Sequence, residues 1–291
     1  IFNHCYINFV CKNIKMLYLC KIMKKLLYLL CISVLFLSCA STNKHNRLLK
    51  SNDVDAKYEA AMKAYEKGDY MHANQLFENL LLYSRGREMS EKVNLYYAKS
   101  LLGGEDYYSA GFQFESFVKW FPYSQYAEEA LFQAAFCKYL ESPESSLDQT
   151  LTKQSIDAFQ EYIEKYPKSE RVAEANKLMD ELRNKLIEKD YQNAYNYYKT
   201  MQYQAAVVSF KNFLNDYPDL TEKRENAMYY IVLAGYEFAR NSVADKLKER
   251  YESVILDYER YSVVFSNMKD KKKQEQLEKI YNELKIDYNG L

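Results

Sequence analysis

Glycine and proline are scarce in this 291-residue chain, at 7 and 4. Glycine loosens the backbone and proline removes an amide hydrogen and fixes φ, so both break regular structure. A chain with so few of either, yet 16% aromatic and with 30 tyrosines, suits a stack of helices whose rings fill the layers between them. Cysteine is also poorly placed for cross-linking. Of six, Cys5, Cys11, Cys20 and Cys31 fall in a leader segment, which leaves Cys39 and Cys137. If Cys39 is modified, Cys137 has no partner and an intramolecular disulfide is excluded. Histidine is equally thin. His45 and His72 lie far apart in sequence beyond the leader, and with a single free thiol there is no zinc ligand set. No glycine-rich phosphate loop, nucleophile elbow or His-Glu-x-x-His pattern occurs. The acids are mixed with lysines in the pattern of solvated helix surfaces. The chain therefore reads as a binding protein, not an enzyme, and implies no cofactor and no metal.

Excess positive charge is missing too. The formal net charge is zero, but residues 1–38 hold five lysines and no acid. Without them 35 basic residues face 40 acidic ones, a net of −5. A mildly acidic chain argues against a nucleic-acid partner, which calls for a basic face.

Residues 1–22 do not start with Met and read as translation from an upstream position, with Met23 or else Met16 as the start. From Met23 a leader of residues 23–38 is legible. Lys24 and Lys25 form a positive end, and residues 26–37 are an uncharged apolar run of 12. A membrane-crossing helix needs about 20 such residues, so this length fits a signal peptide. The run ends Leu35-Phe36-Leu37-Ser38-Cys39. This resembles a bacterial lipobox, with Phe36 where Leu is usual. The resemblance implies cleavage after Ser38 and lipidation, such as palmitate, on Cys39. The other reading is an ordinary secretory signal beside an incidental cysteine. Residues 39–52 form a polar tether, and the absence of an acid directly after Cys39 resembles lipoproteins sent to the outer membrane.

The rest of the chain repeats one pattern. Ala194, Tyr197, Tyr203, Ala206, Phe210, Phe213 and Pro218 match Ala98, Leu101, Tyr107, Ala110, Phe114, Phe117 and Pro122 position for position. Steps of three and four place these residues on single helical faces. Small residues stand where two helices cross, large ones fill the gaps, and proline closes the unit. Looser copies run Ala61, Ala64, Tyr70, Ala73, Phe77, Leu80 and Gly235, Phe238, Ala244, Leu247, Tyr251, Val254. A further copy between Ala134 and Pro167 has Ser155 at the small site. The pattern resembles the tetratricopeptide (TPR) repeat. The expected fold is all-α: a TPR-like solenoid of helical hairpins, about five repeats, with a C-terminal capping helix. Repeats 1–3 are expected over 53–168. A long helix, repeats 4 and 5 and the final helix are expected over 169–291. Asp53, Ser90, Ser124, Ser169 and Thr221 are expected N-caps, with turns at Gly68-Asp69 and Gly103-Gly104. About nine extra residues near 141–152 form a surface loop.

TPR stacks bind partners on a concave face, which the family lines with the first helix of each hairpin. Carried onto this sequence, that selects Tyr58, Met62, Tyr65, Leu95, Lys99, Tyr191, Tyr195, Tyr198, Tyr229, Val232 and Tyr236. A tyrosine-lined groove suits an extended peptide. Each ring can also serve as packing within the stack.

A lipobox, five hairpins and phrases such as Tyr65-Glu66-Lys67-Gly68-Asp69-Tyr70 and Ala173-Glu174-Ala175-Asn176-Lys177-Leu178 resemble the BamD family of outer membrane protein assembly factors, in its Bacteroidetes branch. The resemblance implies a lipoprotein on the outer membrane facing the periplasm. Its partners would be the POTRA domains of the barrel-inserting subunit BamA and unfolded β-barrel precursors. A different periplasmic TPR lipoprotein, serving cell division or glycan uptake, is the competing assignment. The Cys39 reading predicts that labelled palmitate enters the wild-type protein and not Cys39→Ser, which would remain as uncleaved precursor on a gel.

Overall fold

The computed structural model describes residues 45–219 and 221–290. Ser38, Cys39, the leader and the first residues of the tether lie outside that range, as does the side chain of the expected cap Thr221. Eleven helices with named bounds follow a short helical turn over 45–49: α1 (Val54–Glu66), α2 (Tyr70–Ser84), α3 (Ser90–Gly103), α4 (Tyr107–Trp120), α5 (Ala127–Glu141), α6 (Thr150–Lys165), α7 (Val172–Lys199), α8 (Tyr203–Asp216), α9 (Thr221–Arg240), α10 (Ala244–Ser266) and α11 (Lys271–Gly290). They form two compact units, one ending at Ala130 and one starting at Leu131.

In the first unit α1 to α4 make two hairpins, each helix packing on the next. Asp53 starts α1 by accepting from the Ala56 N–H at 2.9 Å, and Asp106 starts α4 by accepting from the Ser109 N–H at 3.1 Å. Ser90 is the first residue of α3 and not its cap: Met89 holds that place without a side-chain bond. Ala61, Ala73, Ala98 and Ala110 are all fully buried. With no side chain beyond Cβ, the helices approach closely there, and Phe77, Phe114 and Phe117 close the space beside them.

The hairpin turns share one geometry. The residue before the second helix's cap is left-handed: Gly68 (φ 74°), Glu105 (φ 63°) and Met201 (φ 60°). The next amide then returns to the first helix, Asp69 to Ala64 C=O at 2.9 Å, Asp106 to Leu101 C=O at 3.0 Å and Gln202 to Tyr197 C=O at 2.9 Å. This satisfies end carbonyls that the helix leaves open. Gly103 and Gly104 therefore do not supply the left-handed residue of the second turn. Gly103 has another reason to be glycine: a Cβ there would lie 2.5 Å from the Tyr70 ring.

The helix ends before proline are also alike. Proline excludes the α conformation at the preceding residue, so Phe121, Tyr166 and Tyr217 take φ near −128° with ψ between 57° and 68°. Each ring then falls on the one four residues back, at centroid distances of 5.1 Å (Phe117–Phe121), 5.8 Å (Tyr162–Tyr166) and 5.1 Å (Phe213–Tyr217). Ser124 and Ser169 restart the chain, accepting from the N–H groups of Tyr126 at 3.0 Å and Arg171 at 3.1 Å.

In the second unit α6 packs on α7, α7 on α8, α8 on α9, and α9 on α10 and α11. Ser155 takes the small position and is fully buried, its hydroxyl donating to Ala135 C=O at 3.4 Å. The extra residues form the loop 142–149, pinned to α7 by Lys185, which donates to Ser142 C=O at 3.0 Å. Free of glycine and proline, α7 runs 28 residues, about 42 Å at 1.5 Å per residue. Ala175, Met179 and Leu182 on its first half and Ala194 on its second are buried. Cys137 is wholly buried, and burial, with Glu141 nearby, pushes its thiol up to about 12.

Two outcomes follow from this packing. Gly103→Ala should cost about 1–3 kcal/mol, the usual penalty for overfilling a packed site, read as a lower urea midpoint with unchanged slope. A thiol titrating near 12 exposes a thiolate fraction at pH 8 roughly a thousandfold below that of an ordinary cysteine. Cys137 should therefore resist iodoacetamide in the native protein and label at once in urea, as peptide mapping would show.

Candidate functional site

The tyrosines singled out by repeat position fall into two different environments. In the first unit, Tyr58, Met62 and Tyr65 on α1 and Lys99 on α3 are half-buried along one side. The Tyr58 ring stands edge-on to Phe77 at 6.4 Å. Tyr65 stands edge-on to Tyr96 at 5.2 Å and to Tyr70 at 5.7 Å. Lys99 reaches Glu129 at 2.7 Å and lies 5.6 Å from the Tyr96 ring. Burial, then neighbouring tyrosines, raises the phenols of Tyr58 and Tyr65. They stay neutral and can donate and accept hydrogen bonds. Leu95, expected beside Lys99, is 1% exposed and belongs to the core. Its neighbour Tyr96 takes the facing role instead, and Tyr126 joins it near Tyr58. Sequence position alone missed both, because a phase error of one residue on α3 exchanges Leu95 for Tyr96.

In the second unit Tyr229 and Val232 are buried, while Tyr191, Tyr195, Tyr198 and Tyr236 are half-buried. Tyr191 sits against Phe210 at 5.7 Å and Phe213 at 5.6 Å, and burial pushes its phenol up to about 12. Tyr195 and Tyr198 both lie 5.1 Å from Tyr230, another ring the sequence reading passed over. Tyr229 and Val232 are 6% and 1% exposed, which corrects their expected place on an open groove. The reason is α11. Tyr229 donates to Gln276 Oε1 at 2.8 Å, Tyr236 donates to Glu283 Oε2 at 3.0 Å, and Lys273 donates to Asn226 Oδ1 at 2.6 Å. The constant offset of 47 residues shows that α9 and α11 run in the same direction, in register. The capping helix expected from Leu277, Ile280, Tyr281 and Leu284 is thus present, with Leu277, Ile280 and Leu284 buried, and it covers what was expected to be groove.

The fold also joins two histidines that are distant in sequence. His45 and His72 meet edge-on at 4.3 Å. Asp69 holds His72 Nδ1 at 2.8 Å, and Gln75 holds His45 Nε2 at 2.8 Å. Among the described residues no group of three His, Cys, Asp or Glu could hold a metal ion. Among them, too, no helix is long and apolar enough to cross a membrane.

The pattern of the YfiO family, outer membrane lipoproteins, matches residues 50–251. Outer membrane protein assembly factor BamD of Caulobacter vibrioides is 22% identical over 209 residues, covering 72% of this chain and 68% of that one. The protein of the same name from Rickettsia prowazekii is 24% identical over 212 residues, covering 73% of this chain and 83% of that one. The family match spans the hairpins from before α1 into α10, and the chain belongs to the YfiO family of outer membrane lipoproteins.

Proposed function

We propose that this chain is a lipid-anchored scaffold of the outer membrane β-barrel assembly machinery, held at the membrane through Cys39 and facing the periplasm. It binds the POTRA domains of BamA and receives unfolded barrel precursors. Family membership over 50–251 and the two assembly-factor relatives support the role. The observation that carries it to particular residues is the half-open face of Tyr58, Met62, Tyr65 and Tyr96 in the first unit. An unfolded barrel segment offers unpaired backbone N–H and C=O groups together with apolar side chains. Neutral tyrosines meet both, with ring area for the side chains and hydroxyls for the backbone. Precursor binding is therefore assigned to the first unit. BamA is assigned to the second unit, whose Tyr229 and Val232 are already enclosed by α11.

The test is purification of a C-terminally tagged chain from detergent-solubilised envelopes. A stoichiometric barrel protein with POTRA domains is the expected companion. Division or glycan-uptake proteins without any POTRA protein would overturn the assignment. Within the complex, Tyr58→Ala with Tyr65→Ala should lower crosslinking to a barrel precursor about tenfold or more, since each 1.4 kcal/mol is a factor of ten. Recovery of the POTRA protein should stay unchanged, and Tyr→Phe at both positions should lose less.

A further inference from the structure

The second half of α7 has an open flank. In the first unit α2 packs on α3, and Tyr97 and Leu101 of α3 are buried, at 9% and 5% exposure. The repeat places Asn193 and Tyr197 at the matching positions of α7. There the preceding helix does not reach. Lys189 of α7 donates to Leu147 C=O, just ahead of the start of α6. From that level α6 runs back and ends a short turn before α7 begins. What stays open beyond it is a cleft of ≈ 670 Å³ between α7 and α8, a size within the range of small-molecule sites.

The lining of the cleft is polar. Asn193 and Asn196 of α7 and Asn212 of α8 present carboxamides that bond to no other described residue. Tyr197 supplies a ring and is 39% exposed. Among the described residues its ring meets no other, whereas Tyr191, Tyr195 and Tyr198 on the same helix all pack on rings. Two acids, Asp190 and Asp216, complete the walls, and among the described lining residues there is no lysine or arginine. Asp190 already accepts from the Tyr217 hydroxyl at 2.6 Å, which leaves Asp216 as the carboxylate open to a ligand.

These groups discriminate between occupants. An anion finds no cation to pair with. A lipid chain would take water from three carboxamides and return no hydrogen bond. A helix packed as α2 is packed would need an apolar wall where Asn193 stands in place of Tyr97. A carboxamide, in contrast, carries donors and an acceptor in one plane, which matches neighbouring hydroxyls that each donate and accept. A tyrosine ring offers an apolar face beside its polar tip, and a pyranose has an apolar C–H face to lay on it. We propose that this cleft binds an uncharged oligosaccharide. Its hydroxyls pair with Asn193, Asn196 and Asn212, Asp216 accepts from a further hydroxyl, and one sugar ring lies against Tyr197. The assignment is independent of the assembly role, since it uses neither the tyrosine face of the first unit nor the surface that α11 covers.

The test is calorimetric titration of the full chain, held in a detergent without a sugar headgroup. The probes are chitotetraose, maltotetraose and spermidine. The expected result is saturable heat from at least one tetrasaccharide, with the same affinity at low and high salt, since an uncharged ligand has no ion pair to screen. Preference for chitotetraose would mark an N-acetylated glycan as the source, and preference for maltotetraose an unsubstituted one. Asn193→Leu with Tyr197→Ala should weaken binding about tenfold or more, the loss of about 1.4 kcal/mol. Circular dichroism of the double variant should match wild type, because both side chains are exposed. The proposal fails if neither tetrasaccharide gives saturable heat, or if the double variant binds as tightly as wild type. It fails also if spermidine alone binds, with an affinity that falls as salt rises, which would make the cleft a cation site at Asp190 and Asp216.

Discussion

Close approach of paired helices at alanine is the constraint on which the rest depends. Ala61, Ala73, Ala98, Ala110, Ala194 and Ala206 have no exposed surface. Anything larger at these points would drive the helices apart and leave Phe77, Phe114, Phe117, Phe210 and Phe213 without walls. Ser155 shows how narrow the tolerance is. It is one atom larger than alanine and survives because its hydroxyl finds the Ala135 carbonyl across the crossing. A buried hydroxyl without such a partner would be costly.

From that approach follows what the tyrosines are free to do. Tight crossings leave wedge-shaped gaps beside them, and rings are the side chains that fill a wedge of this kind. In the second unit, rings at 191, 195, 198, 210, 213 and 230 touch one another in a continuous run. The phenols of Tyr191, Tyr198 and Tyr230 shift upward chiefly through burial, as expected for groups packed among other rings. In the first unit Tyr58 and Tyr65 lean on only part of their surface. High tyrosine content therefore serves two ends. It supplies wedges wherever a further helix covers the face, and amphipathic surface wherever none does.

The repeat, and with it the fold class, was legible because its determinants are local: alanine and aromatic spacing along one helix, and proline after an aromatic. The loop near 142–149 and the long α7 were legible for the same reason, from the length between repeat positions and from the lack of breakers. What escaped was decided by neighbours in space. Gly103 looked like a turn residue, yet Glu105 takes the left-handed conformation, and Gly103 is small to admit the Tyr70 ring from another helix. Leu95 and Tyr96 exchanged roles because the inward direction on α3 is fixed by the helices it meets. Tyr229 and Val232 matched the family's groove positions, and nothing within α9 indicates that α11 returns to cover them.

The parallel register of α9 and α11 gives that cover a structural meaning. In a stack of hairpins, first helices of successive repeats run parallel and second helices lie between them. With α10 between them, α11 stands where the first helix of a further repeat would stand. Its contacts bear this out: apolar Leu277, Ile280 and Leu284 point inward, while Gln276 and Glu283 accept the hydroxyls of Tyr229 and Tyr236. A polar side chain that satisfies a buried hydroxyl fixes register more strictly than apolar contact does, since a one-residue slip would strand both groups. The second unit thus covers part of its own inner face, at Tyr229, by adding half a repeat, whereas Tyr58 and Tyr65 of the first unit stay half-buried.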